Sequence, residues 1–528
     1  MILALLAINI SNKSGLPSLL LFLGLGIICS QLGFEFDNFA IAERFSTIAL
    51  VVIMFYGGFG TNWKMGKPVF KEAVTLAFLG VVLTSLLTGL FAHYVFKVSW
   101  IESMLIGSIV GSTDYASVLN ILKSKNLNLK YGTASLLELE SGSNDPSAFT
   151  MTLLFLSLYM GTEISVLSLI AKQVGLGLAI GFSMSFVVSK LLEYLDLQSD
   201  GLATVFMFAM AIFTYASTTS LGGNGYLAVY LFGIIIGNKV FKGKRDIVYF
   251  FDGFTELMNI ALFFLLGLLA TPARILSNIG LALAFMLFIS LVARPVSVFI
   301  LMTPFKLKKN QLFIISWAGL KGAAAIAFAI MAVNKASGFS LDIFHIVFGI
   351  CLLSSLFQGS LMPLITRKLD MMDPNDSVLR TFNYYVDKGD VTFMKAKLDE
   401  SSKMVGKRLM DLNLRGEFVI AKIIRDNKSL VATGNLVLKD GDELVVMGEE
   451  YFDPYAQDLI EFTITDFHPW ANKKLRDLHL PKNELVLSVN REGDLLIAEG
   501  RTEIMVGDRI ILFKGNDKKL TRIGRLIK

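Results

Sequence analysis

The chain has 528 residues, of which 54% are hydrophobic and only 18% charged, with a formal net charge of +5. With a mean hydropathy of +0.60, this composition excludes an ordinary soluble globular protein. It also gives no case for a nucleic-acid partner, because the basic residues sit mostly in short loops between apolar runs.

The opening run, Met1–Ile10, is too short to span a membrane and lacks the basic segment and small-residue cleavage site of a signal peptide. It reads as the remnant of a first helix cut by a late start, or as a half-helix. Apolar runs then recur near 16–32, 45–60, 73–96, 101–122, 132–160, 164–190, 202–218, 224–240, 254–270, 276–303, 311–333 and 341–365. Each is of the order needed to cross a hydrocarbon core of roughly 30 Å. Alternate loops hold 17 lysines and arginines, among them Lys64, Lys67, Lys71 and Lys306, Lys308, Lys309; the opposite loops hold only Arg44, Lys97, Arg274 and Lys335. The positive-inside rule then puts the C-terminal tail in the cytoplasm and the N-terminus outside, which gives about 13 crossings with a truncated first one. Cys29 and Cys351 lie inside apolar runs and make no disulfide or metal framework.

Composition changes abruptly after Lys368. The expected division is a membrane part over 1–368, a linker over 369–384, and two soluble repeats over 385–455 and 456–528. The repeat is explicit: Lys407–Leu412 returns as Lys473–Leu478, Gly434 as Gly500, and Gly441-Asp442 as Gly507-Asp508, all 66 residues apart. Each unit reads as a helical turn followed by three or four short strands around Gly-Asp turns.

Three polar insertions interrupt the apolar runs. Gly111-Ser112-Thr113-Asp114 consists of helix breakers and caps; a break there exposes backbone carbonyls to a cation, with Asp114 at a half-helix N-terminus. Glu138 to Asp145 puts three carboxylates and Asn144 in one spanning run, with Pro146 directly after. A charge at mid-bilayer costs about 3 kcal/mol or more, so such residues mark an ion or proton pathway. On a helix Ser141 and Asp145 share a face, as do Glu140 and Asn144. Gly319-Leu320-Lys321-Gly322-Ala323 supplies a second break and a buried cation. Breaks in both halves are the sign of an inverted-repeat secondary transporter. Buried charges need partners, and the expected structural pair is Glu140 with Lys321. That leaves Asp145 free to hold either a proton or a cation, which suffices for antiport; Asn144 does not titrate, so the exchange is electroneutral. Arg294, inside a span beside Pro295, is assigned a supporting role, as a cap for broken-helix carbonyls or a snorkelling side chain. Glu138 is placed near the cytoplasmic entrance without a direct role, and His345 is read as a packed histidine. Gly177/Gly181 and Gly233/Gly237 read as helix-packing faces.

These motifs, together with Leu16–Gly24, Gly225–Tyr230, Ala293–Pro295, Trp317–Ala323 and Gln358-Gly359, make the membrane part similar to the bacterial monovalent cation:proton antiporters of the electroneutral sodium/proton exchanger superfamily, above all the potassium/proton branch. The resemblance implies an α-helical multi-pass antiporter fold with two broken, crossing helices in the cell membrane. It implies that Asp145 binds cation or proton, that Asn144 orients the site, that Thr113 and Asp114 lie where the unwound helices cross, and that Ser141 is a further ligand. Asp145 and Thr113 would then be the main contacts of the monovalent cation. It further implies homodimers that work by an elevator-like motion in the lipid bilayer. The family usually has arginine where Lys321 stands, so a bidentate pair would become a point-charge contact. The tail repeats resemble the C-terminal subdomain of regulators of potassium conductance, the RCK_C or TrkA-C module; no Gly-rich dinucleotide fingerprint follows a strand there. No resident cofactor is expected, and control of the tail by a nucleotide such as cyclic di-AMP rests on resemblance alone.

Rival classes fit less well. A channel calls for a Thr-Val-Gly-Tyr-Gly filter, and Asn224-Gly225-Tyr226 has the wrong context. An intramembrane aspartyl protease built on Asp114 and Asp145 calls for a Gly-x-Gly-Asp segment and leaves Lys321 without a role. Potassium is the expected cation, with sodium as the alternative.

Overall fold

The computed structural model describes residues 18–34, 36–114, 117–118, 128–194, 201–239, 241 and 244–373, and in the tail 391–398, 402, 404–412, 419–425, 428–449, 459–464, 468–478, 480–481, 484–491, 494–497 and 500–514. The run Met1–Ile10 and residues 374–384 of the expected linker lie outside them. The chain divides into two compact units, Met1–Val386 and Asp387–Lys528.

The first unit is helical: α1 Ser18–Gln31, α2 Phe39–Gly60, α3 Trp63–Phe96, α4 Trp100–Ile109, α5 Thr133–Tyr159, α6 Val166–Tyr194, α7 Leu202–Ser220, α8 Gly225–Gly237, α9 Lys244–Leu269, α10 Pro272–Phe305, α11 Lys309–Trp317, α12 Ala323–Lys335 and α13 Ile343–Lys368. Among the described residues seven helices are long and apolar enough to cross a membrane. The 27-residue α5 is not one of them, because Glu138, Glu140 and Asp145 sit within it. The helix that hydropathy passes over is the one that carries the polar motif.

Two groups of helices pack within this unit. The first consists of α1, α2 and α6 to α9. Glycines let its backbones touch: a Cβ on Gly233 would lie 2.4 Å from the Phe55 carbonyl oxygen, and one on Gly237 would lie 2.0 Å from that of Phe59. Gly177 and Gly181 of α6 pack in the same way on the Asn224 and Ala228 carbonyls, at 3.1 and 2.9 Å. Both small-residue pairs are therefore packing faces. The second group consists of α3 to α5 and α10 to α13. Three of its helices contain a π turn: Leu76–Gly80 in α3, Ile289–Ala293 in α10 and Ser354–Gly359 in α13.

Two paths in the second group are broken, as the insertions foretell. α4 ends at Ile109, residues 110–114 are not helical, and the next described residues, Ser117 and Val118, are helical. α11 ends at Trp317, and α12 starts at Ala323. The unwound stretches cross, and the Asp114 N–H donates to the Leu320 carbonyl at 2.8 Å. A short ribbon, β1 Asn128–Leu129 with β2 Met372–Asp373, ties residues of the expected linker back to the membrane unit.

Among its described residues the tail holds two four-stranded sheets. In the first, β3 Val391–Lys397, β4 Val419–Arg425, β5 Lys428–Val431 and β6 Glu443–Glu449 lie in the order β3-β6-β4-β5. In the second, β7 Leu459–Thr463, β9 Glu484–Arg491, β10 Asp494–Ile497 and β12 Arg509–Lys514 repeat that order as β7-β12-β9-β10; β8 Lys473–Lys474 and β11 Glu503–Ile504 form a separate pair. The helical turn of each unit, Leu409–Asp411 and Leu475–Asp477, follows a first strand rather than opening the unit. Gly441 and Gly507 adopt positive φ of 77° and 92° in the Gly-Asp turns, a conformation that glycine takes without steric cost.

Candidate functional site

The Thr113 break meets the polar stretch of α5. The Asn144 amide donates to the Thr113 hydroxyl, and the Thr113 N–H approaches Asn144 Oδ1 at 3.4 Å. The Ser141 hydroxyl donates to the Thr113 carbonyl at 2.8 Å. The Ser112 hydroxyl donates to Asp145 Oδ1. Asp114 caps the helical turn after the break: it accepts the Ser117 N–H at 3.1 Å and the Ser117 hydroxyl at 2.5 Å. Its carboxylate also lies against Gly322 of the second break, where a Cβ would come within 2.3 Å of Oδ2. Thr113, Asp114, Ser141, Asn144 and Asp145 are thus brought together at one crossing.

The expected Glu140–Lys321 pair is corrected by the structure. Glu140 pairs with Arg294, whose Nη2 reaches both carboxylate oxygens at 2.6 and 2.8 Å. Lys321 instead donates Nζ to the Ser112 carbonyl at 2.9 Å. The chemistry explains the division. A guanidinium spreads its charge over a planar fork that suits two carboxylate oxygens, whereas a compact ammonium suits a single carbonyl left open by a broken helix. Arg294 therefore holds a carboxylate rather than capping carbonyls, and Gly319 leaves room for it: a Cβ there would lie 3.1 Å from Arg294 Nε.

A cavity of about 160 Å³ opens at the crossing, between the two helix groups. Leu50, Met54 and Gly57 of α2 and Phe263 of α9 form one wall; Ser112, Thr113, Asp114, Ser141, Asp145 and Gly322 form the other. Glu138 also lines it. Glu140 and Asn144 are 1% and 0% exposed, whereas Asp145 is half-buried. Of the carboxylates on α5, Glu140 is closed off behind its arginine while Asp145 opens to the cavity. Pro146 has no N–H to give, so the helix is loosened one residue beyond Asp145. Asn224, which caps α8 by accepting the Leu227 N–H at 3.0 Å, donates to the Pro146 carbonyl at 2.7 Å and to the Thr150 hydroxyl at 3.0 Å.

Sequence reading did not single out Ser112 and Asn224. The signal for Ser112 was its place in the first polar insertion, and for Asn224 its place before Gly225, where a helix starts. His345 is packed: one ring nitrogen bonds Asp342 at 2.8 Å, and the other accepts the Thr271 N–H at 3.1 Å.

Residues 1–368 match the family model described as sodium/hydrogen exchanger, transmembrane. The chain belongs to this sodium/hydrogen exchanger family. It is a multi-pass membrane transporter rather than an enzyme. Residues 393–450 and 459–526 each match the TrkA-C domain. The K(+)/H(+) antiporter NhaP2 of Shewanella baltica is 34% identical over 454 residues, covering 83% of this chain and 78% of that protein. The K(+)/H(+) antiporter NhaP of Alkalimonas amylolytica is 32% identical over 456 residues, covering 84% and 79%. In fold, the chain is similar to the sodium proton antiporter MjNhaP1 of Methanocaldococcus jannaschii, with a TM-score of 0.62 and 21% identity over 70% of this chain and 96% of that one.

Proposed function

We propose that the protein exchanges one potassium ion for one proton across the membrane, with Asp145 alternating between the two. The observation that carries this reading is the contrast on α5: Glu140 is neutralised by Arg294, while Asp145 faces the cavity and receives a serine hydroxyl. A carboxylate held by a neutral donor keeps lone pairs for a proton or a cation, and the two compete for the same oxygens. Asn144 contributes oxygen and amide without titrating, so one cation leaves as one proton arrives and no net charge moves. Thr113 and Ser141 supply further oxygens at the crossing, and Asp114 holds the broken helix in place. Lys321 anchors the first break through Ser112.

Potassium is favoured by the K(+)/H(+) antiporters to which the chain is similar over most of its length. Sodium is the second reading, favoured by the match to the sodium/hydrogen exchanger family model. We take the working form to be a homodimer in which the group of α3 to α5 and α10 to α13 moves against the other, with the tail repeats as a regulatory element. Proton flux in everted vesicles, with potassium, sodium, lithium and rubidium offered in turn, tests the assignment. Asp145→Asn abolishes exchange with every cation; retained exchange in a folded mutant refutes the mechanism.

A further inference from the structure

Gln358 belongs to one of the sequence motifs, yet it has no part in the exchange as described. It lies on the π turn of α13, is 2% exposed, and is bonded at both ends of its amide. Its Oε1 accepts the Ser354 hydroxyl at 2.9 Å and, from the π turn of α10, the Ser290 hydroxyl at 2.9 Å. Its Nε2 donates to the Trp317 carbonyl at 3.0 Å, and its own carbonyl accepts Trp317 Nε1 at 3.0 Å. Trp317 is the last residue of α11, where helix carbonyls have lost their partners four residues on. The side-chain amide supplies the missing donor and stops the helix at this residue.

The bonds continue toward the cavity. Ser354, anchored on Gln358, accepts the Lys321 N–H at 3.2 Å. Lys321 donates Nζ to the Ser112 carbonyl at 2.9 Å, and the Ser112 hydroxyl donates to Asp145. The unwound stretch Ala318–Gly322 is therefore pinned at its start by Gln358 and at Lys321 by Ser354. We propose that Gln358 is a positioning residue for cation binding: it sets the length and direction of this stretch, so that Lys321 holds Ser112 where its hydroxyl meets Asp145. The inference rests on Asp145 as the exchanging carboxylate.

The test uses the full-length protein in proteoliposomes, with potassium-dependent proton flux measured over a range of potassium concentrations. Gln358→Met keeps the volume and removes the amide bonds. Ser354→Ala leaves the Trp317 clamp in place and removes the hydroxyl that joins Gln358 to the Lys321 N–H. Both variants raise the apparent KM for potassium by roughly five-fold or more and leave maximal flux per folded protein within about two-fold, the signature of weakened ground-state binding. An unchanged KM in both, or a fall in maximal flux alone, overturns the proposal and leaves Gln358 a packing residue whose loss lowers only the melting temperature. If Gln358→Met fails to fold, Ser354→Ala decides alone on the same criterion. Asp145→Asn, run in parallel, separates the two claims: retained exchange there refutes the site reading, while the KM of the Gln358 and Ser354 variants still reports on positioning.

Discussion

The tail buries Asp442 and Asp508 against arginines, while the membrane unit gives Asp145 a serine. Asp442 receives Nε and Nη2 of Arg425 at 2.6 and 2.7 Å and the Lys439 N–H at 2.8 Å. Asp508 receives the same set from Arg491, at 2.8 and 2.7 Å, with the Met505 N–H at 2.7 Å. Inside the membrane unit Glu140 follows the tail's pattern, with Arg294 on both oxygens. Asp145 departs from it. A carboxylate whose oxygens are filled by a guanidinium is fixed architecture, because removing either partner strands a buried charge. A carboxylate beside a hydroxyl keeps the freedom to trade its proton. The two kinds differ in partner and in access: Glu140, Asp442 and Asp508 are closed off with their arginines, while Asp145 is half-buried and opens to the cavity.

The largest expected effect comes from the exception. Asp145→Asn preserves shape and hydrogen bonding but removes the titratable group, so cation-dependent proton flux falls to background while the melting temperature stays near that of the parent. Arg294→Ala attacks the membrane copy of the tail's pattern. It strands Glu140 in an apolar interior and costs about 3–5 kcal/mol, read as a fall in thermal stability of the purified protein. If Arg294→Ala melts like the parent while Lys321→Ala is the one that collapses, the correction of Glu140's partner is wrong. Gly322→Ala comes next. The new methyl would lie 2.3 Å from Asp114 Oδ2, and an overlap of that kind costs about 1–3 kcal/mol of strain. Exchange drops with a small loss of stability; normal flux in Gly322→Ala would mean that the two breaks need not touch.

Much of this site was legible because charge in an apolar run is expensive, and so conspicuous. The breaks at Gly111–Asp114 and Gly319–Ala323 and the polar stretch of α5 stood out for that reason, and the fold brings them to one crossing. Glu140's partner was not legible. Lys321 and Arg294 both sit in apolar runs, and sequence gives no distance from either to Glu140; only the path of α10 past α5 decides it. Ser112 was hidden because a serine among glycine, threonine and aspartate looks like one more breaker, although its hydroxyl and its carbonyl serve two different residues. In the tail, the 66-residue repeat was plain, but the position of the first strand ahead of the helical turn was not, since β3 and β7 lie outside the matching motifs.

The smallest effect tests the tail's side of the comparison, and it depends on pH. The hydrogen bonds from Arg425 hold the Asp442 carboxyl below the ordinary aspartate range. Burial pushes Asp508 up, yet Arg491 and the Met505 N–H outweigh it and leave that carboxyl lowered as well. A carboxyl lowered in the folded state adds stability above its unfolded pKa of about 3.9, and that stability is lost as pH falls through the folded value. The tail should therefore hold from neutral pH down to about pH 4 and loosen below it. Limited proteolysis of the full-length protein with an acid-active protease follows this directly: cleavage within β3 to β12 rises steeply only at the acid end. Asp442→Asn removes the charge that Arg425 faces and costs about 1 kcal/mol at neutral pH, since Arg425 is itself partly solvated. It also flattens the acid response of the first sheet, while the second, still holding Arg491 and Asp508, keeps its own. Identical acid profiles for Asp442→Asn and the parent would show that the tail's arginine pairs do not carry its stability, and would leave Asp145's serine partner as a difference of geometry alone.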